Sequence, residues 1–171
     1  MVDLVSRHGR RLQRYSSGRR LVVGCIPYQF KEVDKPCSED TEPAIEVLVV
    51  SSQKGPELMF PKGGWELDES MPEAASREAF EEAGVRGNLE CTLGKWSSKG
   101  DDKIHFMYAL RVTEVLQQWP EMGARERKWV TVEDARQVCK HSWMKEAVDK
   151  LADLLSSPSE QEMNELSIIA Y

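Results

Sequence analysis

The sequence has 171 residues, a formal net charge of −6 and 40% hydrophobic residues, which is enough apolar content for one domain with a packed core. Its apolar runs, such as IEVLVV and LVVGCI, are far shorter than the roughly 20 residues that a membrane-spanning helix needs. An acidic chain also lacks the broad basic face that usually binds duplex nucleic acid. We therefore expect a soluble, monomeric domain that binds neither membranes nor nucleic acid duplexes.

The N-terminus differs in charge from the rest of the chain, because residues 1–24 contain six arginines and one acidic residue, Asp3. Such a segment is typical of a mitochondrial transit peptide, but it also fits an electropositive strip that attracts a polyanion. We interpret residues 1–18 as a basic N-terminal arm and leave both interpretations open. The expected location is accordingly the cytoplasm, with the nucleus as a second option, or alternatively the mitochondrion.

Strands are predicted by six segments that are rich in apolar, β-branched and aromatic residues. In chain order these segments are RRLVVGCIPYQF, AIEVLVVSS, ELMFP, NLECTLGKW, IHFMYALRV and ERKWVTV. The first two are separated by a polar loop at 31–43, and the KGG triplet at 62–64 is interpreted as a turn.

Helices are predicted between these strands. Ser70 and Glu73 form a capping-box pattern that starts a helix near Met71, and Gly84 ends it. Two more helices are predicted at 132–140 and 144–155. Strands interleaved with helices predict an α/β domain with a helix-covered mixed sheet over residues 19–156, followed by a polar C-terminal tail at 157–171.

The first predicted helix carries Glu78, Glu81 and Glu82 at spacings of three and four residues. Each pair of like charges at such spacing costs about 0.2–0.5 kcal/mol, and the adjacent Arg77 can neutralise only one carboxylate. A divalent cation would relieve the remaining repulsion, and oxygen-only ligands favour Mg²⁺, or Mn²⁺ as the alternative, over zinc. No zinc site is expected from the widely separated histidines, which are His8, His105 and His141.

A longer motif includes this helix and the glycine turn before it. The pattern is G-x5-E-x7-R-E-U-x-E-E-x-G-U, where U is an apolar residue, and it is met by Gly63, Glu69, Arg77, Glu78, Ala79, Glu81, Glu82, Gly84 and Val85. The stretch resembles a complete Nudix box, the signature of the Nudix hydrolases. The resemblance implies a Nudix-type α/β/α sandwich that hydrolyses a diphosphate linkage with Mg²⁺ or Mn²⁺.

The same resemblance implies roles for the motif residues. Glu78 and Glu82 correspond to the main metal ligands, together with the backbone carbonyl of Lys62. Glu81 corresponds to a carboxylate that serves as general base or as an added metal ligand, and which glutamate is the base stays open. Arg77 resembles the arginine that holds the catalytic glutamates by ion pairs.

Segments outside the box, including VVGCIPY, SSQKG, FPKGGWE, RKWV and WMKEA, are similar to the plant branch related to the diphosphoinositol polyphosphate phosphohydrolases. This implies inositol pyrophosphates as substrates, with long dinucleoside polyphosphates as further ones. Arginine and lysine suit such polyanions. The residues that we expect to contact phosphate are Arg14, Arg19, Arg20, Ser51, Ser52, Lys54, Lys103 and Arg125.

Three departures from the animal pattern weaken a transfer of detailed contacts. Lys62 stands where the animal relatives usually have a glycine. Asp101 and Asp102 lie in a loop that is more basic in those relatives. The lysine that those relatives have near the C-terminal helix has no clean match in this sequence, and Lys145 is the nearest residue. Two other functions stay open: a module that binds a polyphosphate with little or no turnover, and a hydrolase of damaged nucleotides or capped RNA ends.

Overall fold

The computed structural model describes residues 5–7, 9, 11–31, 44–97 and 101–156. The predicted polar tail at 157–171 and most of the predicted loop at 31–43 lie outside this part of the chain. No helix in the described ranges is long and apolar enough to cross a membrane.

Eight strands in the described part of the chain form one sheet. In chain order they are β1 (Tyr15–Ser16), β2 (Arg19–Phe30), β3 (Ile45–Ser51), β4 (Leu58–Met59), β5 (Lys62–Gly64), β6 (Val85–Trp96), β7 (Lys103–Val115) and β8 (Arg127–Thr131). The main order is β4-β3-β2-β7-β6, and β8 pairs with β3. The pairing of β2 with β7 is parallel and the other named pairings are antiparallel, so the predicted mixed sheet is confirmed.

The KGG triplet is a short strand, so its interpretation as a turn was wrong. Residues 62–64 pair with 22–24 of β2 in antiparallel register. The first half of β2 does not pair with β3, whose register with β2 covers only Tyr28–Phe30, and this leaves an edge that β5 occupies. Gly24 permits the close approach, because a Cβ there would collide with Pro61 and Lys62.

The helices begin and end close to their predicted limits. Helix α1 spans Met71–Glu78 and continues as a π-helical turn over Ala79–Ala83. Helix α2 spans Val132–Val138, and Thr131 caps it by accepting a hydrogen bond from the Asp134 amide. Helix α3 spans Ser142–Ser156 and is therefore longer than predicted at both ends.

The two faces of the sheet are covered by different helices. One face packs Cys25, Leu48 and Leu110 against alanines of the π-helical turn, and Val23 against alanines of α1. The opposite face packs side chains such as Tyr28 and Met107 against α2 and α3. These layers confirm the predicted α/β/α sandwich, and they place the acidic helix over one end of β2 and β5.

Candidate active site

The three glutamates of the acidic helix are buried in the structure, with Glu78 6%, Glu81 4% and Glu82 5% exposed. Helix α1 starts where the sequence predicts, since Ser70 Oγ accepts from the Glu73 amide at 3.2 Å and Glu73 Oε1 accepts from the Ser70 amide at 3.1 Å. Buried carboxylates need charged or hydrogen-bonding partners, so the surroundings of these side chains determine what the site can do.

The π-helical turn carries Glu81 and Glu82. It ends at Gly84, which adopts a left-handed conformation with φ of 64°. The carbonyl groups of Glu81 and Glu82 lie in the last turn of the helix and have no partners inside it. Turns of the π type frequently lie at functional sites. A segment far away in sequence supplies these partners: the Glu121 amide donates to Glu81 O at 3.0 Å, and Trp119 Nε1 donates to Glu82 O at 3.1 Å.

Arg77 is the hub of the cluster. Its guanidinium donates to both carboxylate oxygens of Glu69 at 2.7 and 2.8 Å, to Glu78 Oε1 at 2.8 Å and to Glu81 Oε2 at 2.9 Å. Burial alone would lower the pKa of Arg77. The hydrogen bonds to Glu69 and the surrounding negative charges outweigh burial, so the net effect is a raised pKa. Arg77 therefore remains charged and orients three carboxylates, as the resemblance implies.

Glu82 is held from the other side. Its Oε2 accepts from the Lys62 amide at 3.1 Å, and its Oε1 accepts from Arg125 Nη2 at 3.1 Å. Burial raises the pKa of Glu82 to about 7, although the charges of Arg125 and Lys62 oppose this shift. The pKa of Glu78 is also raised, first by burial and then by the charge of Glu82. The metal-free site therefore contains carboxylates that resist ionisation.

Strand β5 brings the backbone against these carboxylates. A Cβ on Gly63 would overlap the carboxylate of Glu78, so only glycine leaves room for that side chain. The amide of the preceding residue, Lys62, donates to Glu82.

The donors fit a hard divalent cation in chemical type, because they are carboxylate and carbonyl oxygens. In the described ranges, however, no three acidic, histidine or cysteine side chains form a preformed metal cluster. Arg77, Arg125 and the Lys62 amide donate hydrogen bonds to carboxylate oxygens of this cluster.

A basic cavity of about 280 Å³ lies next to β5. Its lining residues are Met59, Lys62, Asp101, Lys103, His105, His141, Ser142 and Trp143. Burial lowers the pKa of the Lys62 amine. Lys62, a predicted metal ligand through its carbonyl, and Lys103, a predicted phosphate contact, thus line the same cavity as two histidines. From the sequence, these histidines were considered only as zinc ligands. Lys145, the nearest sequence match to the relatives' lysine, does not line this cavity, whereas His141 does.

A second cavity of about 550 Å³ brings together Ser51, Ser52 and Arg125, three of the predicted phosphate contacts. Arg125 lies at its inner wall and is engaged by the protein: besides Glu82, it donates to Ser51 O at 2.9 Å and to Glu121 Oε1 at 3.0 Å. Ser51 Oγ accepts from the Glu126 amide at 2.8 Å. The structure thus assembles these residues but uses much of their hydrogen-bonding capacity internally.

The other predicted phosphate contacts are dispersed. Arg14 lies over the Trp65 ring at 4.3 Å and donates to carbonyls of the loop before α1. Arg20 donates to Gln13 Oε1 at 3.0 Å, Arg19 begins β2, and Lys54 is exposed. These four residues do not line either cavity described above.

Glu121 is a residue that sequence reasoning missed. It lies outside the motif, yet its side chain accepts from Ser6, Gln53 and Arg125, and its amide binds the π-helical turn. Its charge also raises the pKa values of the three cluster glutamates, after the larger effect of burial. The chain separation between Glu121 and the motif leaves no local signal for this role.

The fold and the carboxylate cluster agree with the comparison to known families, in which the NUDIX domain matches residues 19–151. The chain belongs to the Nudix hydrolase family. It is 55% identical over 170 residues to the protein named Nudix hydrolase 17, mitochondrial, from Arabidopsis thaliana, an alignment that covers 96% of this chain and 91% of the relative.

Two further comparisons are more distant. The protein named diphosphoinositol polyphosphate phosphohydrolase 3-beta, from Bos taurus, is 44% identical over 97 residues, covering 54% of this chain and 59% of the relative. The crystal structure of a C. elegans Ap4A hydrolase binary complex matches with a TM-score of 0.58 at 22% identity, covering 80% of this chain and 98% of that chain. This second likeness supports the fold alone.

Proposed function

We propose that this Nudix hydrolase is a metal-dependent pyrophosphohydrolase that cleaves phosphoanhydride bonds of diphosphoinositol polyphosphates, and also of diadenosine polyphosphates. The observation that carries the proposal is the buried cluster of Glu78, Glu81 and Glu82, in which Arg77 holds Glu78 and Glu81 and Arg125 holds Glu82, next to strand β5 and the cavity lined by Lys62 and Lys103. Carboxylates buried at such cost are explained by a cation and a phosphate chain that complete the site.

The cation in this proposal is Mg²⁺, with Mn²⁺ as the alternative, held by Glu78, Glu82 and the Lys62 carbonyl. When bound, such an ion neutralises phosphate charge and acidifies water. Glu81 lies within the same cluster and is the group that we assign to proton removal or to a second ligand position. Arg77 keeps the carboxylates in place through its four hydrogen bonds to them.

The substrate class follows from charge and resemblance together. Lys62 and Lys103 share a cavity with Asp101 and two histidines, and the two lysines suit a ligand with several phosphates. The name of the bovine relative supports inositol pyrophosphates, since that protein is named as a diphosphoinositol polyphosphate phosphohydrolase. Arg14, Arg19, Arg20 and Lys54 stay predicted contacts of the outer part of such a ligand.

The test is a product assay: released phosphate is measured for an inositol pyrophosphate, and separated nucleotide products are measured for a long diadenosine polyphosphate, with ADP-ribose and NADH as comparison substrates. Wild-type protein should form these products only with Mg²⁺ or Mn²⁺, and Glu81→Gln and Glu82→Gln should each lose most of the rate. Glu133→Gln is the matched control, because Glu133 lies in the first turn of α2, outside the cluster. Full activity in both cluster variants would contradict the mechanism.

Isothermal titration, together with a panel extended to a damaged nucleotide and a capped RNA, separates the two other functions. Tight binding of inositol pyrophosphate without product would favour the polyphosphate-binding module. Preference for damaged nucleotides or capped RNA would favour the housekeeping hydrolase, and Lys103→Ala should then leave turnover of the preferred substrate nearly unchanged.

For the location and boundaries of the domain we propose the following. The Arabidopsis relative is named as mitochondrial, which supports the mitochondrial alternative over the cytoplasm or nucleus for this chain. The family match at 19–151 is compatible with a catalytic domain at 19–156, an N-terminal arm at 1–18 and a tail at 157–171. A fluorescent fusion of the full chain compared with one of residues 19–171 tests whether the arm directs import.

A further inference from the structure

The N-terminal arm contacts the carboxylate cluster directly. The Arg7 amide donates a hydrogen bond to Glu81 Oε1 at 2.8 Å, and Ser6 Oγ donates to Glu121 Oε2 at 3.0 Å. The Arg7 guanidinium is ion-paired with Glu66 and with Asp68, the latter at 2.9 Å. We call Ser6 and Arg7 the N-terminal strap, because these two consecutive residues bind acidic side chains from three parts of the chain.

The strap completes the hydrogen bonding of Glu81. Arg77 holds Oε2 of this carboxylate and the Arg7 amide holds Oε1, so each oxygen has a donor. No other donor to Glu81 Oε1 is present in the described ranges. The strap therefore stands where a cation, or a water activated by one, would approach Glu81.

The strap is attached to the domain mainly by polar contacts. Val5 beside it is 67% exposed, and residues 5–7 form no strand pairing with the described part of the sheet. The Arg7 side chain is 41% exposed and that of Asp68 is 50% exposed, so this ion pair contributes little to stability, and the pair with the buried Glu66 is the stronger one. A segment with few buried contacts and mainly polar attachments can open at low cost in free energy.

We propose that the N-terminal strap and a divalent cation compete for Glu81, so that the strap closes the metal-free site and is released when the metal binds. The proposal rests on the metal site of the proposed function. It also means that Arg7 of the basic arm neutralises the protein's own carboxylates in the metal-free state, and becomes available to a polyanion only after release.

Proline substitution separates the two kinds of contact. Arg7→Pro removes the amide donor to Glu81 together with the guanidinium, whereas Arg7→Ala removes the guanidinium and keeps the amide. Val5→Pro is the matched control, since it places a proline in the same exposed segment and leaves Ser6 and Arg7 intact. The variants are made in the full chain, stripped with chelator and titrated with Mn²⁺ alone, with bound metal followed by electron paramagnetic resonance.

The competition predicts an ordered series of affinities. Arg7→Pro should lower the Kd for Mn²⁺ by on the order of tenfold, because a hydrogen bond to a charged group no longer has to be broken. Arg7→Ala should lower it by about twofold, and Val5→Pro should leave it at the wild-type value. In wild-type protein, Mg²⁺ should also accelerate hydrogen exchange of the Arg7 amide, measured by nuclear magnetic resonance.

The outcomes separate this inference from the proposed function. Suppose that wild-type protein binds Mn²⁺ and that Glu82→Gln weakens this binding. If the Arg7→Pro variant then binds Mn²⁺ with wild-type or lower affinity, the strap does not compete with the metal, and only this inference is overturned. The same holds if Mg²⁺ leaves exchange of the Arg7 amide unchanged. If wild-type protein binds no Mn²⁺, both the competition and the proposed function are refuted.

Discussion

Arg125 Nη2 lies 3.1 Å from Glu82 Oε1, and this ion pair joins the loop before β8 to the end of the acidic helix. The Arg125 side chain is 10% exposed and that of Glu82 is 6% exposed, so both charges are removed from water. Arg125 also pairs with Glu121 and donates to Ser51 O, which makes it the link between the carboxylate cluster and the second cavity.

Removing Arg125 should therefore be costly. Arg125→Ala leaves Glu82 and Glu121 without their shared counter-charge, and breaking a buried pair in this way costs about 3–5 kcal/mol. We expect a loss of that order in the free energy of unfolding of the metal-free protein, measured by urea denaturation. Part of the loss should be recovered with Mg²⁺, which replaces the missing positive charge.

The control for this change is Arg136→Ala. Arg136 pairs with Asp149 at 2.9 Å, but both side chains are about half exposed, so the expected cost is below about 1 kcal/mol. Similar losses in the two variants would show that the Arg125 pair is no more important than a surface ion pair.

A second prediction concerns Gly63. A Cβ at this position would meet the Glu78 carboxylate, which is the far end of a flexible side chain and can turn away. Gly63→Ala should therefore reduce Mg²⁺ affinity and turnover by at least about tenfold while changing the free energy of unfolding by less than about 1 kcal/mol. The measurements are metal titration, steady-state kinetics and urea denaturation on one preparation.

Gly55→Ala is the control for metal binding, because nothing lies within 4 Å of a Cβ there. It should leave metal affinity at the wild-type value. Normal metal binding in Gly63→Ala would mean that the position of Glu78 against β5 is not needed for the site.

Local signals were sufficient to predict the helix that carries the site. Ser70, Glu73 and Gly84 are close in sequence to the ends that they define, and each makes the contact that the pattern indicates. The strands were predictable for a related reason, since long apolar runs such as β2 must be buried on both faces. The layered fold then follows from alternating strands and helices.

Contacts between distant parts of the chain were not predictable in the same way. The π-helical turn depends on donors from 119–127, and the strand at 62–64 depends on a free edge of β2. Glu121 and His141 reach their sites only because the sheet brings their loops there. A pattern of residue types over a short window contains no information about such partners.

Glu82 gives a third prediction, on the pH dependence of the metal-free protein. Its pKa in the folded state is about 7, above the ordinary 4.5, so the folded state binds more protons than the unfolded state between these values. The stability that this group contributes is fully present below pH 4.5 and is lost as pH rises through about 7. We expect Glu82→Gln to be less sensitive than wild type to a rise in pH across this window.

The measurement is urea denaturation of chelator-treated protein between pH 4.5 and 8. Saturating Mg²⁺ should reverse the trend for wild type, because a cation binds the ionised carboxylate and displaces the proton. If wild type and Glu82→Gln show parallel pH profiles without metal, the burial of Glu82 does not perturb its ionisation as the structure indicates.

His105 gives the last prediction, with the opposite sign. Its ring stacks on Trp143 with centroids 4.2 Å apart, and its Nδ1 is buried without a hydrogen-bond partner in the described part of the chain. Burial, followed by the charge of Lys62, lowers the pKa of His105 to about 4 from 6.5. Its contribution to stability is therefore present above pH 6.5 and is lost as pH falls through about 4.

His105→Phe keeps an aromatic ring against Trp143 and removes the titrating group. Between pH 6.5 and 4 wild type should lose free energy of unfolding relative to this variant, by up to on the order of 3 kcal/mol. The comparison is made by urea denaturation in phosphate-free buffer, because an anion in the basic cavity would favour the protonated histidine. His141→Phe shows the effect of losing a half-exposed histidine, and it also removes the 3.0 Å pair between His141 Nε2 and Glu57 Oε1. Equal acid sensitivity of wild type and His105→Phe would mean that His105 is protonated in the folded protein as readily as in the unfolded chain.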